Sequence, residues 1–423
     1  MGLIKRVYTD EETLITAQNL NDIQDAVIEL EDGLFSIDND KSGEVITITD
    51  AYKRGFRSLN IYGKTTQDGT PTPDAPADLV CVGNDGMLTV NVCGKNLANY
   101  PARTGQTSAV DSDGFIIATN SSTINTYIHV PVVAPYGEIT VSIENIGGSD
   151  VYIQTSGSDY SVSSKASFSR TIIANGWLRV MWSITPGTTS KVRIMATKGA
   201  TVLPYEPYTG QTLTIPTPNG LPGIPVTSGG NYTDANGQQW ICDEIDFARG
   251  VYVQRIIKAV FGANSTGISL SETSTQFPSY NKRFDFKNTE ITNVLIQDTS
   301  KKQIIMSNYA KAAQRVNQDG VWINSVDYFE GRLSIDGAIA GSVEELKTYL
   351  AIEPIVFLVP CAEPVEIPLS EEELAAYRSL YTYKDNTTVS NDAGAYMELE
   401  YVMDSKKYID GLITGAMLPA TVE

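Results

Sequence analysis

The sequence predicts a mainly β protein: an N-terminal coiled-coil helix, then β-sandwich (jelly-roll-like) modules and a C-terminal α+β unit. Three observations carry that reading. Between residues 98 and 208, about seven short segments alternate apolar and polar residues, with turn residues between them. Before them, Leu20, Ile23, Val27, Leu30, Leu34 and Ile37 recur at spacings of 3, 4, 3, 4 and 3. The 22 Tyr, 34 Gly and 19 Pro of the 423 residues suit pleated strands joined by frequent turns.

The heptad spacing predicts an a/d seam on a helix from Thr16 to Ile37. Thr16 is placed to cap it, and Ile15 and Leu20 to staple its first turn. With Leu20 at a, the a positions read Leu, Val, Leu and the d positions Ile, Leu, Ile, a pattern that favours more than two helices. The same spacing also fits one amphipathic helix docked on its own domain. Gly33 weakens either helix by about 1 kcal/mol.

Residues 1–40 therefore read as an arm and oligomerising helix. Asp38-Asn39-Asp40-Lys41-Ser42-Gly43 opens like a calcium loop, but Thr49 stands where the bidentate glutamate belongs, so a polar turn is expected. Residues 41–97 read as a small β segment. In it, DLVCVG and MLTVNVCG form a hairpin through Asn84-Asp85-Gly86. In the 98–208 sandwich the expected strands are Phe115–Ala118, Tyr127–Val133, Ile139–Ile146, Val151–Thr155, Ser167–Ile173, Trp177–Ile184 and Val192–Ala196. Leu178, Val180, Trp182 and Ile184 share one face; Trp177, Arg179, Met181 and Ser183 share the other. Residues 209–256 are a connector ending in a hairpin at Arg249-Gly250. Residues 257–403 are a β-rich domain with helices capped by Ser342/Glu345 and Ser370/Glu373, and residues 404–423 a helical tail.

The net charge of −19 removes the electrostatic term that drives binding to nucleic acid or anionic membrane. No run of 18 apolar residues offers a membrane span, and MGLIKRVYTD carries no apolar signal core. Cys81, Cys93, Cys242 and Cys361 form no CxxC pair and read as packed thiols. One histidine, His129, supports neither a multi-histidine metal site nor a Ser-His-Asp triad, and no G-x-S-x-G elbow is present. No Walker loop or GxGxxG occurs, and no cofactor is expected.

Several stretches resemble a known family. YTDEETLITAQNLNDIQDAVIELE, SLNIYGKTTQDGTPTPDAP, VCGKNL, LPYEPYTGQ, GQQWICDEIDFARGVYVQRI and LSEEELAAYRSLYTYKDNTTVSNDAGAYMELEYVMDSKKYIDGLI resemble segments of fibre and baseplate proteins of tailed bacteriophages that infect Gram-positive bacteria. The resemblance implies a homotrimeric virion appendage. It would join another virion protein through its N-terminal end and contact host cell-surface polysaccharide or teichoic acid. It leaves tail fibre, baseplate protein and capsid-anchored head fibre open, and a polysaccharide-degrading spike as a further alternative.

An enzyme of the last kind needs paired carboxylates across a sugar. Asp111 and Asp113, and Asp243, Glu244 and Asp246, read better as turn and strand-edge acids. Non-catalytic glycan contact suits the composition better, because aromatic faces stack on sugar rings while Arg and amides hold hydroxyls. The candidates are Trp177 and Arg179, with Tyr127, Tyr152 and Tyr160; Trp182 is weaker, and Trp240 and Trp322 are assigned to packing.

Overall fold

A computed structural model describes residues 36–71, 76–100, 108–134, 136–155, 158–273, 282–288, 293, 304–307, 320–323 and 329–404. Leu20, Ile23, Val27, Leu30 and Leu34 lie outside these residues, as does the tail after Asp404. The described chain is mainly β, arranged in several antiparallel sheets, with helices Val343–Ile352 and Glu371–Arg378. Neither is long and apolar enough to cross a membrane.

Among the described residues the largest sheet has 11 strands and draws on both the first and the last of them. Val45–Ala51 pairs with Asp385–Asn391, and Ser58–Tyr62 with Tyr396–Asp404. Alternation explains why these strands share one core. Ile46, Ile48, Leu59, Ile61, Leu88, Val90, Val92, Met397, Leu399 and Tyr401 are all buried in it. The segments 41–97 and 257–403, which composition separates, thus contribute to a single sheet.

Two local expectations are corrected. Ile37 is not the last seam residue of a helix; it lies in strand Ser36–Gly43, opposite Met403. The stretch expected to be a polar turn continues that strand, with Asp38 opposite Val402 and Asp40 opposite Glu400. Pairing with the last strand gives this backbone ladder partners that a solvated turn would not. Ser36 also faces Asp404, so the chain enters and leaves the described body at neighbouring points.

The second correction concerns Asn84-Asp85-Gly86. The turn forms, with Gly86 N–H donating to Gly83 O at 3.0 Å. Its flanking strands nevertheless part. Val80–Cys81 pairs with Thr65–Thr66, whereas Met87–Cys93 lies between Gly210–Pro216 and Asp385–Asn391. Burial decides this: Leu88, Val90 and Val92 enter the large core, and Cys81 packs with Ile224, Val226, Ile256 and Leu358. The hairpin at Arg249-Gly250 forms as expected, joining Glu244–Asp246 to Val251–Phe261.

Two units are inserted into this sheet. Phe261 faces Ile355, and between them a four-stranded sheet and helix Val343–Ile352 pack around Phe284, Phe286, Leu333 and Leu346. Ser342 caps that helix through Glu345 N–H, and Ser370 and Glu373 form a full capping box on the other. In the large sheet Cys93 likewise faces Gly210, and the residues between them include a pair of sheets.

One sheet of that pair orders its strands Phe168–Asn175, Tyr136–Ile146, Thr189–Lys198, Ile116–Thr119 and Ser108–Val110. The other orders Ser158–Ser164, Asp150–Thr155, Leu178–Ile184 and Thr126–Pro131. Ile139, Val141, Ile143, Val192 and Ile194 from the first meet Leu178, Val180, Trp182 and Ile184 from the second in one core. Strands appear at all the expected positions; Ser108–Val110 and Ser158–Ser164 are additional.

The ends of the inserted unit are clasped together. Asn96 is 2% exposed, and its amide Nδ2 donates to Ile194 O and Glu206 O at 3.1 and 2.9 Å. Its Oδ1 accepts from Ala98 N and Ala196 N at 2.9 and 3.0 Å. Lys95 pairs with Glu206, and Gly94 N–H donates to Thr209 O at 2.9 Å. A Cβ at Gly94 would lie 2.5 Å from Thr209 Oγ1, so the Thr209 side chain would have to turn aside.

Asn96→Ala strands these buried backbone groups, and a loss of about 2–4 kcal/mol is expected. Urea unfolding followed by tryptophan fluorescence measures it. A change within about 0.5 kcal/mol, the range of an ordinary surface substitution, would show that the clasp is dispensable.

Candidate functional site

Strand pairing decides which of the candidate residues share a surface. In Leu178–Ile184 the residues Leu178, Val180, Trp182 and Ile184 are buried, as the alternation requires. Trp182 is 0% exposed and belongs to the core, which removes it as a surface binder. Arg179, Met181 and Ser183 face outward.

The neighbouring strands extend this outer face. Ser183 lies opposite Tyr127 and Asp150, Met181 opposite His129 and Tyr152, and Arg179 opposite Pro131 and Gln154. Directly paired residues point to the same side of a sheet. Tyr127, Tyr152 and Arg179 therefore occupy one face, and Trp177 stands at the end of the Arg179 strand. Tyr160 lies in edge strand Ser158–Ser164, next to the Tyr152 strand.

The polar and aromatic groups on this face are held in place. The Arg179 guanidinium lies over the Trp177 ring, 5.2 Å from its centroid, and Arg179 Nε donates to Gln154 Oε1 at 2.8 Å. Thr155 Oγ1 donates to Trp177 O at 3.0 Å and fixes the backbone beside the ring. Trp177 and Tyr127 nonetheless remain 47% and 46% exposed. A ring locked by a cation–π contact, yet open to solvent, offers an apolar plate with little side-chain entropy left to lose. Gln154 had not been singled out; its signal is the alternation of DVYIQT, which places Tyr152 and Gln154 on the same half-exposed face.

Trp240 and the acidic candidates are structural. Trp240 packs with Tyr62, Tyr232 and Tyr396, and its Nε1 donates to Asp234 Oδ2 at 3.1 Å. Trp322 lies in strand Gly320–Ile323. Asp111 accepts from Asp113 N and Phe115 N and pairs with Lys191 at 2.6 Å, so it is the turn acid expected. That lysine holds its carboxyl below the ordinary range.

Asp243, Glu244 and Asp246 are not strand-edge acids. All three are buried, because Glu244–Asp246 is an inner strand between Ser58–Tyr62 and Val251–Phe261. Glu244 is held by Arg255 at 2.7 Å and by Asn60 at 2.8 Å. Asp243 Oδ1 accepts from Arg255 N and Ile256 N at 2.7 and 2.8 Å, and Oδ2 accepts from the Tyr252 hydroxyl. These acids bind their own fold together. Among the described residues, no group of three or more His, Cys, Asp and Glu side chains is arranged to hold a metal ion, and all four cysteines are buried thiols.

Compared with family models, with curated proteins and with solved structures, the chain matches none. The reading of the site therefore rests on its geometry.

Burial pushes the Asp243 carboxyl up to about 7, against the pull of its three donors. The folded state thus holds this proton more tightly than the unfolded chain. The Asp243 contribution to stability is complete below the ordinary value of 3.8 and is lost as pH rises through about 7. Asn at this position keeps an acceptor for the two backbone donors and removes the charge. The stability difference between Asp243→Asn and the parent should therefore shift in favour of the variant from about pH 5 to about pH 8. Urea midpoints across that range test it; a pH-independent difference would show that Asp243 is ionised throughout.

Proposed function

We propose that the chain is a non-catalytic structural appendage of a tailed-phage virion, of the fibre or baseplate kind, that contacts host cell-surface glycan. The observation that carries the glycan half is the shared outer face of Trp177, Arg179, Tyr127 and Tyr152. An exposed ring fixed by a guanidinium with an amide beside it, and tyrosines further along the same face, matches what successive sugar rings and their hydroxyls require.

The inserted two-sheet unit is, in this reading, a jelly roll. Taken in chain order from Ile116–Thr119, the first, eighth, third and sixth strands lie side by side, and the second, seventh, fourth and fifth form the other sheet. That order is two Greek keys wound together, an arrangement used by lectin and viral capsid domains. The stretches VCGKNL and LPYEPYTGQ, which carry part of the resemblance to phage appendage proteins, are the two halves of the Asn96 clasp.

The appendage half rests on the resemblance and on the heptad seam. Attachment to another virion protein would use the N-terminal segment, and the seam from Leu20 to Leu34 would join three chains. The adjacency of Ser36 and Asp404 supports this arrangement, since the described body is entered and left at one place.

Trp177→Ala and Tyr127→Ala should each weaken binding to purified host-wall polysaccharide at least about tenfold, equivalent to about 1.4 kcal/mol, without lowering the unfolding midpoint. Unchanged affinity in both variants would move the contact elsewhere. Light-scattering mass should report a trimer for the full chain and a monomer after deletion of Thr16–Phe35. A full-length monomer would overturn the assembly.

A further inference from the structure

The inserted unit has a second sheet, and its outer face carries a feature that the reading above does not use. The segment after Lys198 turns back across that sheet, and a pocket of about 380 Å³ lies between them. Its floor is a set of register partners. Ser142 faces Ser169 on one side and Met195 on the other, and Glu144 faces Arg193. Its wall includes Val202, Leu203 and Tyr205.

The charged pair in this pocket is closed on itself. Arg193 Nη2 donates to both Glu144 oxygens at 2.7 Å, and Nη1 donates to Asp113 O at 2.8 Å. The guanidinium is held between two rings, 4.4 Å from the Phe115 centroid and 4.7 Å from that of Tyr205. Tyr205 is itself anchored, its hydroxyl donating to Gly114 O at 3.2 Å. Among the described residues no other charged side chain lines the pocket. Ser169 donates to Ser142 at 2.9 Å, which leaves the Ser142 hydroxyl proton and lone pairs on both oxygens for another partner. Arg193 Nε is buried and has no acceptor among the described residues.

These features select a class of ligand. The volume lies within the range of small-molecule sites, and the lining mixes aromatic and aliphatic walls with a few fixed polar groups. The internally paired charge disfavours an anion, since a phosphate or carboxylate would have to compete with Glu144 for Arg193. The hydroxyls and the carboxylate suit a partner that both donates and accepts hydrogen bonds. We propose that this pocket is a second saccharide site, for a neutral pyranose unit, on the face opposite Trp177. The proposal rests on the glycan-binding reading of the module and extends it. One glycan chain or two could then engage the unit from both sides, with the gain in avidity that linked sites give.

The test uses the full-length chain and a set of methyl pyranosides, those of glucose, galactose, N-acetylglucosamine and rhamnose, with methyl glucuronide as the anionic counterpart. Binding is read by saturation-transfer NMR and equilibrium dialysis. At least one neutral pyranoside should bind in the millimolar range. Ser169→Trp, at an exposed position in an edge strand, should fill the pocket and weaken that binding at least about tenfold, an anchor-sized effect. Glu144→Gln should weaken it while making the glucuronide relatively better. Absence of neutral pyranoside binding, or binding indifferent to Ser169→Trp, would overturn the proposal. Polysaccharide binding that depends on Trp177 and not on Ser169 would do so too, while leaving the other face standing. Dependence on Ser169 alone would keep the pocket and remove the other face.

Discussion

The architecture depends on a strand pair whose partners are far apart in sequence. Cys93 and Gly210 face each other in one ladder although a whole two-sheet unit separates them. Closing a loop of that length costs entropy that grows only slowly with length, but it must be met before the pairing contributes anything. The buried amide of Asn96 helps to meet it, because its four bonds tie the outgoing chain to the returning one and to the Thr189–Lys198 strand. The aromatic–amide face is therefore a rigid feature of the molecule only as far as this junction is rigid. Met87–Cys93 and Gly210–Pro216 hold the junction from below, and both lie in the same core as Val45–Ala51 and Tyr396–Asp404.

The same logic applies at the other insertion, where Phe261 and Ile355 close the frame. There the junction is apolar rather than polar: Phe261, Phe286 and Phe357 pack ring against ring with centroids 4.7 and 5.9 Å apart. A ring cluster tolerates small shifts, whereas a fully satisfied buried amide has one good geometry. The two units therefore differ in how firmly their orientation is specified, and the unit with the aromatic–amide face has the stricter joint. That is the arrangement expected if its orientation matters to what it contacts.

Much of the module was legible in the sequence because half-buried antiparallel strands repeat with a period of two. GWLRVMWSI assigns its own faces, and the structure buries Leu178, Val180, Trp182 and Ile184 while leaving Arg179 half exposed. Strand Ser158–Ser164 was missed because SDYSVSS is mostly serine and carries little apolar signal. Pairing partners were not legible, since alternation defines a face but not a neighbour. That is why Asn84-Asp85-Gly86 reads as a hairpin while its strands go to different sheets, and why Ile37 reads as the end of a helix while Met403 draws it into a ladder. Glu244–Asp246 was misjudged for a related reason. A run of acids signals a surface, unless Arg255, Tyr252, two backbone N–H groups and the distant Asn60 converge to satisfy it.

Charge bears on which glycans suit this surface. The chain carries −19 overall, and long-range attraction would work against an anionic wall polymer. Screening shortens that repulsion to about 8 Å at physiological ionic strength, so local groups decide. On the Trp177 face, Arg179 keeps its cation over the ring and its Nε on Gln154. On the opposite face, Arg193 is neutralised by Glu144. Neither arginine is arranged as a bare anion receptor; each orients an aromatic ring or a neighbouring acceptor. Under the proposed glycan-binding reading, both faces of the inserted unit favour ring stacking and hydroxyl bonding, which directs the search toward neutral sugars rather than phosphate-rich polymers.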